Sequence, residues 1–212
     1  MVGTRYGFFD QQTFRKEKMI ISTVLDLPRI EPDDWDKFFH LWNNHKQVLN
    51  KIRKTHNRAG AHIGLDVYCD SSFTPTYTAP MIDLKTQYPS LYEQIMMLPV
   101  PIYCARFIQS FDDFPPHMDS KWSNWAIRNW FYCEDTEPQW YYTPKTDLEQ
   151  KKWLTLPKES NWWAYLDGQV NHATVFKPHL PKILIQYFVH PLHSKRFVES
   201  QIGKFPDFAI SF

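Results

Sequence analysis

Two short segments carry side chains that could bind a metal. In Pro115-Pro116-His117-Met118-Asp119, extended backbone puts His117 and Asp119 on one side of the chain and Met118 on the other. In Leu166-Asp167-Gly168-Gln169-Val170-Asn171-His172, a tight Asp-Gly turn feeds a strand that carries His172. Asp119 and His172 are 53 residues apart (172 − 119), room for four or five barrel strands between them. That connectivity can return both to one barrel mouth. Two imidazoles and one carboxylate can cap one face of an octahedral ferrous ion and leave the opposite face open, where four thiolates would close the site. A His-x-Asp pair alone reads first as a loop histidine beside a carboxylate. The second histidine, placed after an Asp-Gly turn in a strand-rich half, tips the reading toward metal. Zinc hydrolysis could use the same ligand types, but no Glu lies beside them to act as a base. Lys182 follows His172 by ten residues and enters the apolar run 183–189. A buried cation needs an anionic partner, which a dicarboxylate co-substrate would supply. A solvated lysine at a strand start beside Pro181 is the plain alternative.

These segments need strands to hold them, and the second half of the chain supplies them. Residues 101–110, 125–133, 139–143, 151–156, 163–166, 170–176 and 182–189 are rich in aromatic and β-branched side chains. Phe114-Pro115-Pro116, Glu137-Pro138, Pro157, Asp167-Gly168 and Lys177-Pro178 read as turns between them. Seven or eight short strands at this spacing predict a sandwich or jelly-roll barrel. The first half, to about residue 98, has strand-like runs at 19–27 and 62–69 and the convincing helices. Asp33 and Asp34 can cap a helix over 35–54, whose Trp35, Phe38, Phe39, Trp42, His45, Leu49 and Ile52 share one face. Ser90 and Glu93 form a capping-box pattern ahead of Ile95 and Met97. Residues 191–212 read as a tail packing back through Phe197, Ile202, Phe205 and Phe208. The expected fold is α+β and mainly β. A core over 99–190 carries an extension over 1–98, with helices and strands packed on it, and the 191–212 tail, in one compact domain.

The 212 residues suffice for a core without staples. Lys+Arg number 24 against 23 Asp+Glu, which weighs against a binder driven by phosphate contacts. The basic run Lys46, Lys51, Arg53, Lys54, His56 and Arg58 reads as a solvated helix face. Cys69, Cys104 and Cys133 are odd in number and widely spaced, so they read as reduced thiols in a cytosolic chain rather than a disulfide framework or zinc knuckle. No apolar run is long enough to span a bilayer or resembles a signal peptide. The expectation is a soluble, cytoplasmic protein with no membrane partner. The other histidines, such as His40 with His45 and His190 with His193, lack ligand spacing.

With those residues in view, the sequence resembles the iron(II)- and 2-oxoglutarate-dependent oxygenases with a double-stranded β-helix (jelly-roll) core. It looks closest to the aspartyl/asparaginyl β-hydroxylase-like branch, which includes free proline hydroxylases. The likeness rests on His117-Met118-Asp119, the 166–172 segment, and Lys182 with its apolar strand, over residues 101–189. It implies Fe(II) held by His117, Asp119 and His172 as the catalytic set. Lys182 matches the basic position that pairs with the distal carboxylate of 2-oxoglutarate, and Arg128 resembles a central-strand arginine used near co-substrate or substrate. Two departures are plain: lysine makes a point contact where arginine makes a fork, and Leu184 stands where a hydroxyl residue often assists. Asp119 places the chain with complete-triad members, favouring hydroxylation over halogenation. The implied reaction hydroxylates an amino-acid side chain, free or in a peptide, with dioxygen, and yields succinate and carbon dioxide. Trp122, Trp125, Trp130, Trp162 and Trp163 could wall the pocket, though most of them suit an ordinary core. The leading rival is a non-catalytic jelly-roll module that binds a sugar, peptide or nucleic acid through its aromatics.

Overall fold

The computed structural model describes residues 19–55, 62–72, 81–110, 113–119, 124–133, 139–177 and 182–212. In chain order, β1 (Ile20–Val24), α1 (Trp35–Thr55), β2 (His62–Cys69), α2 (Leu84–Gln87) and α3 (Pro89–Ile95) lead into the strand-rich half. There follow β3 (Ile102–Ser110), β4 (Phe114–His117), β5 (Asn124–Cys133), β6 (Trp140–Pro144), β7 (Lys152–Trp153), β8 (Trp162–Asp167), β9 (Val170–Thr174) and β10 (Lys182–Val189). The chain closes with α4 (Pro191–Gln201), a 3-10 turn (Pro206–Phe208) and β11 (Ile210–Ser211).

The eight strands from β3 to β10 pair first with last. β3 lies against β10, β4 against β9, β5 against β8 and β6 against β7, all antiparallel. This is one long hairpin folded over on itself. Pairing of β10 with β5 and of β9 with β6 then completes two layers, β3-β10-β5-β8 and β4-β9-β6-β7. That arrangement is the jelly roll expected from the strand spacing. The layers meet at the Asp-Gly turn, where Gly168 takes φ +80°, a conformation open to glycine at little cost. The N-terminal strands extend the first layer: β2 adds to β3, and β1 to β8.

Alternation along the first layer sorts its side chains onto two faces. Ala105, Phe107, Ile127, Phe131, Ile183 and Ile185 face outward, where Phe38 and Trp42 of α1 and Leu91 and Ile95 of α3 cover them. Trp163, Tyr165 and Leu184 face the barrel interior with Trp140, Tyr142 and Val170 of the second layer. Helix α1 starts where the sequence places it: Asp34 Oδ1 accepts the Lys37 N–H at 2.9 Å, and Phe38 packs on Phe131 with ring centres 4.7 Å apart.

Three local expectations need correction. Phe114-Pro115-Pro116 is part of strand β4 rather than a turn. Prolines lack an N–H to donate but are tolerated on an edge strand, and β4 pairs only with β9 among the described residues. Ser90 does not cap α3. Tyr88 stands at that cap, Pro89 fills the first turn, and the Ser90 hydroxyl donates instead to Asp33 at 3.4 Å. The run 151–156 yields only the two-residue strand β7. The tail does pack back: Phe197 and Ile202 lie against the helix-side core, α4 opens at Pro191, and β11 pairs with β1. No helix among the described residues is long and apolar enough to cross a membrane.

Candidate metal centre

β4 and β9 bring the two histidines opposite each other. His117 and His172 are register partners in the antiparallel pair, with ring centres 4.3 Å apart. Asp119 lies two residues beyond His117 and turns back between them. Its Oδ1 is 3.4 Å from His117 Nε2, and its Oδ2 is 3.7 Å from His172 Nε2. One donor atom from each of the three residues falls within 4.8 Å of the others. The cluster sits at the barrel mouth. His172 is buried at 3% exposure, while His117 and Asp119 are 30% and 39% exposed, which leaves the site open on one side.

The surroundings set the protonation states. Pro115 O lies 2.8 Å from His117 Nδ1, so Nδ1–H donates there and Nε2 is directed at the carboxylate. Burial opposes charge on His117, yet its bonds to Asp119 and Pro115 raise its pKa. Burial also opposes charge on Asp119. The hydrogen bond from His117 and the charge of Arg128 outweigh that and hold the carboxyl well below its usual range. Arg128 Nη2 donates to Asp119 Oδ2 at 3.1 Å and to the Tyr165 hydroxyl at 3.0 Å. Burial pushes His172 down to about 3, so it is neutral with a lone pair to give. The trio therefore presents an anionic carboxylate and a neutral buried imidazole, with the second imidazole beside the carboxylate. Oxygen and nitrogen donors of this kind suit a borderline divalent ion such as Fe(II).

Two further residues position the trio and escaped the sequence reading. Trp140 lies flat on His172, with centres 4.8 Å apart and planes at 1°. His172 Nδ1 is buried without a hydrogen-bond partner among the described residues, so this stack, and not the usual outer hydrogen bond, sets the ring plane. Asp167 carries a turn signal in the sequence, and the structure gives it a second role. Its Oδ1 accepts the backbone N–H of Asp119 at 3.2 Å and of Gly168 at 3.0 Å, tying the first ligand segment to the turn before the second. No spacing rule flags either residue, since both contacts depend on which strands neighbour one another.

Arg128 and Lys182 both face the interior, with different partners. Arg128 is engaged by Asp119 and Tyr165, beside the trio. Lys182 opens β10 with its ammonium 5.1 Å from the centre of the Trp130 ring. It lines a cleft with Ile108, Trp130, Gln139, Thr174 and Leu184 that offers water centres about 10 Å³, room for about one molecule. Of the expected pocket-wall aromatics, Trp130 and Trp163 line the interior, Trp125 and Trp162 belong to the outer core, and Trp122 lies outside the described residues. The side chains of the basic run at Lys46–Arg58 lie outside them as well. Cysteines expected to be unrelated prove neighbours: Cys69, Cys104 and Asp66 also place their donor atoms within 4.8 Å of one another.

No family model matches the sequence, and no curated protein does. Among solved structures, the chain is similar to an oxidoreductase of the 2OG-Fe(II) oxygenase family from Burkholderia pseudomallei. That match has 7% identity and a TM-score of 0.35, and covers 68% of this chain and 78% of the other. It is also similar to a Pseudomonas putida prolyl-4-hydroxylase at 11% identity and a TM-score of 0.37, covering 80% and 91%. Likeness this remote says nothing of substrate or reaction; the chemistry rests on the trio and its surroundings.

Proposed function

We propose that this protein is a mononuclear non-haem iron(II) oxygenase that takes 2-oxoglutarate as co-substrate and hydroxylates an amino-acid side chain, free or in a peptide. The convergence of His117, Asp119 and His172 at an open barrel mouth, with Asp119 held anionic and His172 held neutral, carries the reading. Iron, when bound, supplies the activation of dioxygen coupled to decarboxylation of the oxo acid to succinate and carbon dioxide.

The chain's own residues do the rest. His117, His172 and Asp119 would hold the ion, the Asp119 carboxylate being kept anionic by its hydrogen bond from His117 and the charge of Arg128. Three protein donors would leave room at the ion for co-substrate and dioxygen. Trp140 and Tyr165 pack against His172 and keep water from its buried side. Lys182, at the start of β10 beside Trp130, would meet the far carboxylate of the oxo acid. The cleft beside it has room for about one water molecule and would have to widen to admit a dicarboxylate.

The test is an anaerobic Fe(II) titration with 2-oxoglutarate, followed by admission of air and assay of succinate with amino-acid and peptide candidates. A weak visible charge-transfer band and succinate formation are expected. If neither appears, the reaction assignment fails.

A further inference from the structure

A second chemical cluster lies on β2 and β3 at the edge of the first layer, separated from β5 and its Arg128 by β10. Asp66 and Arg106 are register partners, and Arg106 Nη2 donates to Asp66 Oδ2 at 3.1 Å while Nε holds the other oxygen. One residue further along, the register slips: Val67 and Tyr68 together face Ala105. This is a β-bulge, and its extra residue reverses the alternation. Leu65, Val67 and Tyr68 all pack into the helix-side core, while Cys69 returns to the face of Asp66.

The bulge sets Cys69 directly opposite Cys104. The Asp70 N–H donates to Tyr103 O at 2.7 Å, which makes the adjoining Cys69–Cys104 pair a non-hydrogen-bonded one. Such pairs have Cα atoms about 4.5 Å apart, within the range of about 4.4–6.8 Å that a disulfide spans. The two sulfurs lie within 4.8 Å of each other. Cys104 is fully buried and its thiol donates to Asp66 Oδ1 at 3.5 Å, whereas Cys69 is partly exposed at the sheet edge. A metal fits this cluster less well. The guanidinium already occupies both Asp66 oxygens, which leaves two thiols as the remaining donors.

We propose that Cys69 and Cys104 are a site of reversible oxidation to a cross-strand disulfide, formed by exchange with a small-molecule disulfide such as oxidised glutathione. Cys69, the accessible thiol, loses its proton to solvent and attacks one sulfur of the small disulfide. A mixed disulfide forms and one small thiolate leaves. Cys104 then gives up its proton and attacks Cys69 Sγ, forming the protein S–S bond and expelling the second small thiolate. Two protein thiols are oxidised, one small disulfide is reduced to two thiols, and the two protons pass to the departing thiolates. Burial and the Asp66 charge raise the Cys104 thiol pKa, which suits it to the second, intramolecular step rather than the first. The proposal does not depend on the metal reading.

The full-length reduced protein, treated with oxidised glutathione, alkylated and digested without reductant, gives the test by mass spectrometry. The expected product links the Cys69 and Cys104 peptides, with no mixed disulfide accumulating. Cys104→Ser should stall with one glutathione on Cys69, and Cys69→Ser should leave Cys104 unreacted while the protein stays folded. In denaturant the selectivity for this pair should vanish. A stable glutathione adduct on Cys69 of the wild type, a bridge through Cys133 instead, or a folded protein whose two thiols both stay reduced would each overturn the proposal.

Discussion

The two faces of the first layer divide the work of the same strands. On β5, Ile127 and Phe131 enter the core under α1, while Arg128 and Trp130 between them face the interior. The outer face is a continuous aromatic and aliphatic contact. The inner face carries a polar row, Arg106–Gln186–Arg128, across three paired strands. Buried guanidinium groups are costly unless paired, and both arginines meet carboxylates: Arg106 at Asp66, Arg128 at Asp119. One face thus holds the layer together, and the other spends part of its burial on presenting charge. Changes on the inner face should therefore remove chemistry with modest loss of stability, and changes on the outer face should do the reverse.

The sharpest separation is expected from His172→Ala. Losing one of three ligands should abolish stoichiometric Fe(II) binding and turnover, while the melting temperature of the metal-free protein stays near that of the wild type. Metal analysis after gel filtration, run beside calorimetry, would check it. Retention of one tightly bound ion would sink the ligand assignment. On the outer face, Phe38→Ala removes a fully buried ring packed on Phe107, Phe131 and Trp42. A loss of about 3–5 kcal/mol in urea unfolding is expected, with the metal affinity of the folded fraction unchanged. If metal affinity fell in parallel with stability, the division between faces would be false.

Arg128→Met tests the inner face at one remove from the ligands. It removes the charge that holds Asp119 anionic and oriented, without touching a donor atom. Outer-shell changes of this kind lower metal affinity roughly 10–100-fold, measurable by competition with a chelator. An unchanged affinity would mean that Asp119 needs no support.

The same division explains what was legible in the sequence. Period-2 and period-3.6 patterns carry information wherever one face is apolar, so helix α1, the strands of the first layer and the shared side of His117 and Asp119 could be read directly. Pairing is not encoded in any local period. Trp140 beside His172, Asp167 beside the Asp119 amide and Arg128 on Asp119 all arise because β9 lies next to β6, and β8 next to β5. Strand β4 was hidden by Pro115-Pro116, whose turn signal is overridden when the strand needs donors on one edge only. The Cys69–Cys104 pair was hidden more thoroughly. Strict alternation puts Asp66 and Cys69 on opposite faces, and only the bulge at Val67 and Tyr68 reverses it.

The smallest expected effect concerns the charge the inner face tolerates least. Burial first, and then the nearby Asp119 carboxylate, push the Asp167 carboxyl up to about 6. The unfolded chain should titrate near about 4. A folded value above the unfolded one means that the native state binds this proton more tightly. The stability it contributes is therefore complete below about pH 4 and is lost as pH rises through about 6. Asp167→Asn keeps an Oδ1 acceptor for the Asp119 and Gly168 amides and never ionises. Relative to the wild type, the variant should gain about 1–2 kcal/mol between about pH 4 and pH 8, read from urea unfolding of the metal-free protein. A difference that stays flat across that window would show that the carboxylate is solvated in the native state, and that the turn holding Asp119 carries no electrostatic cost.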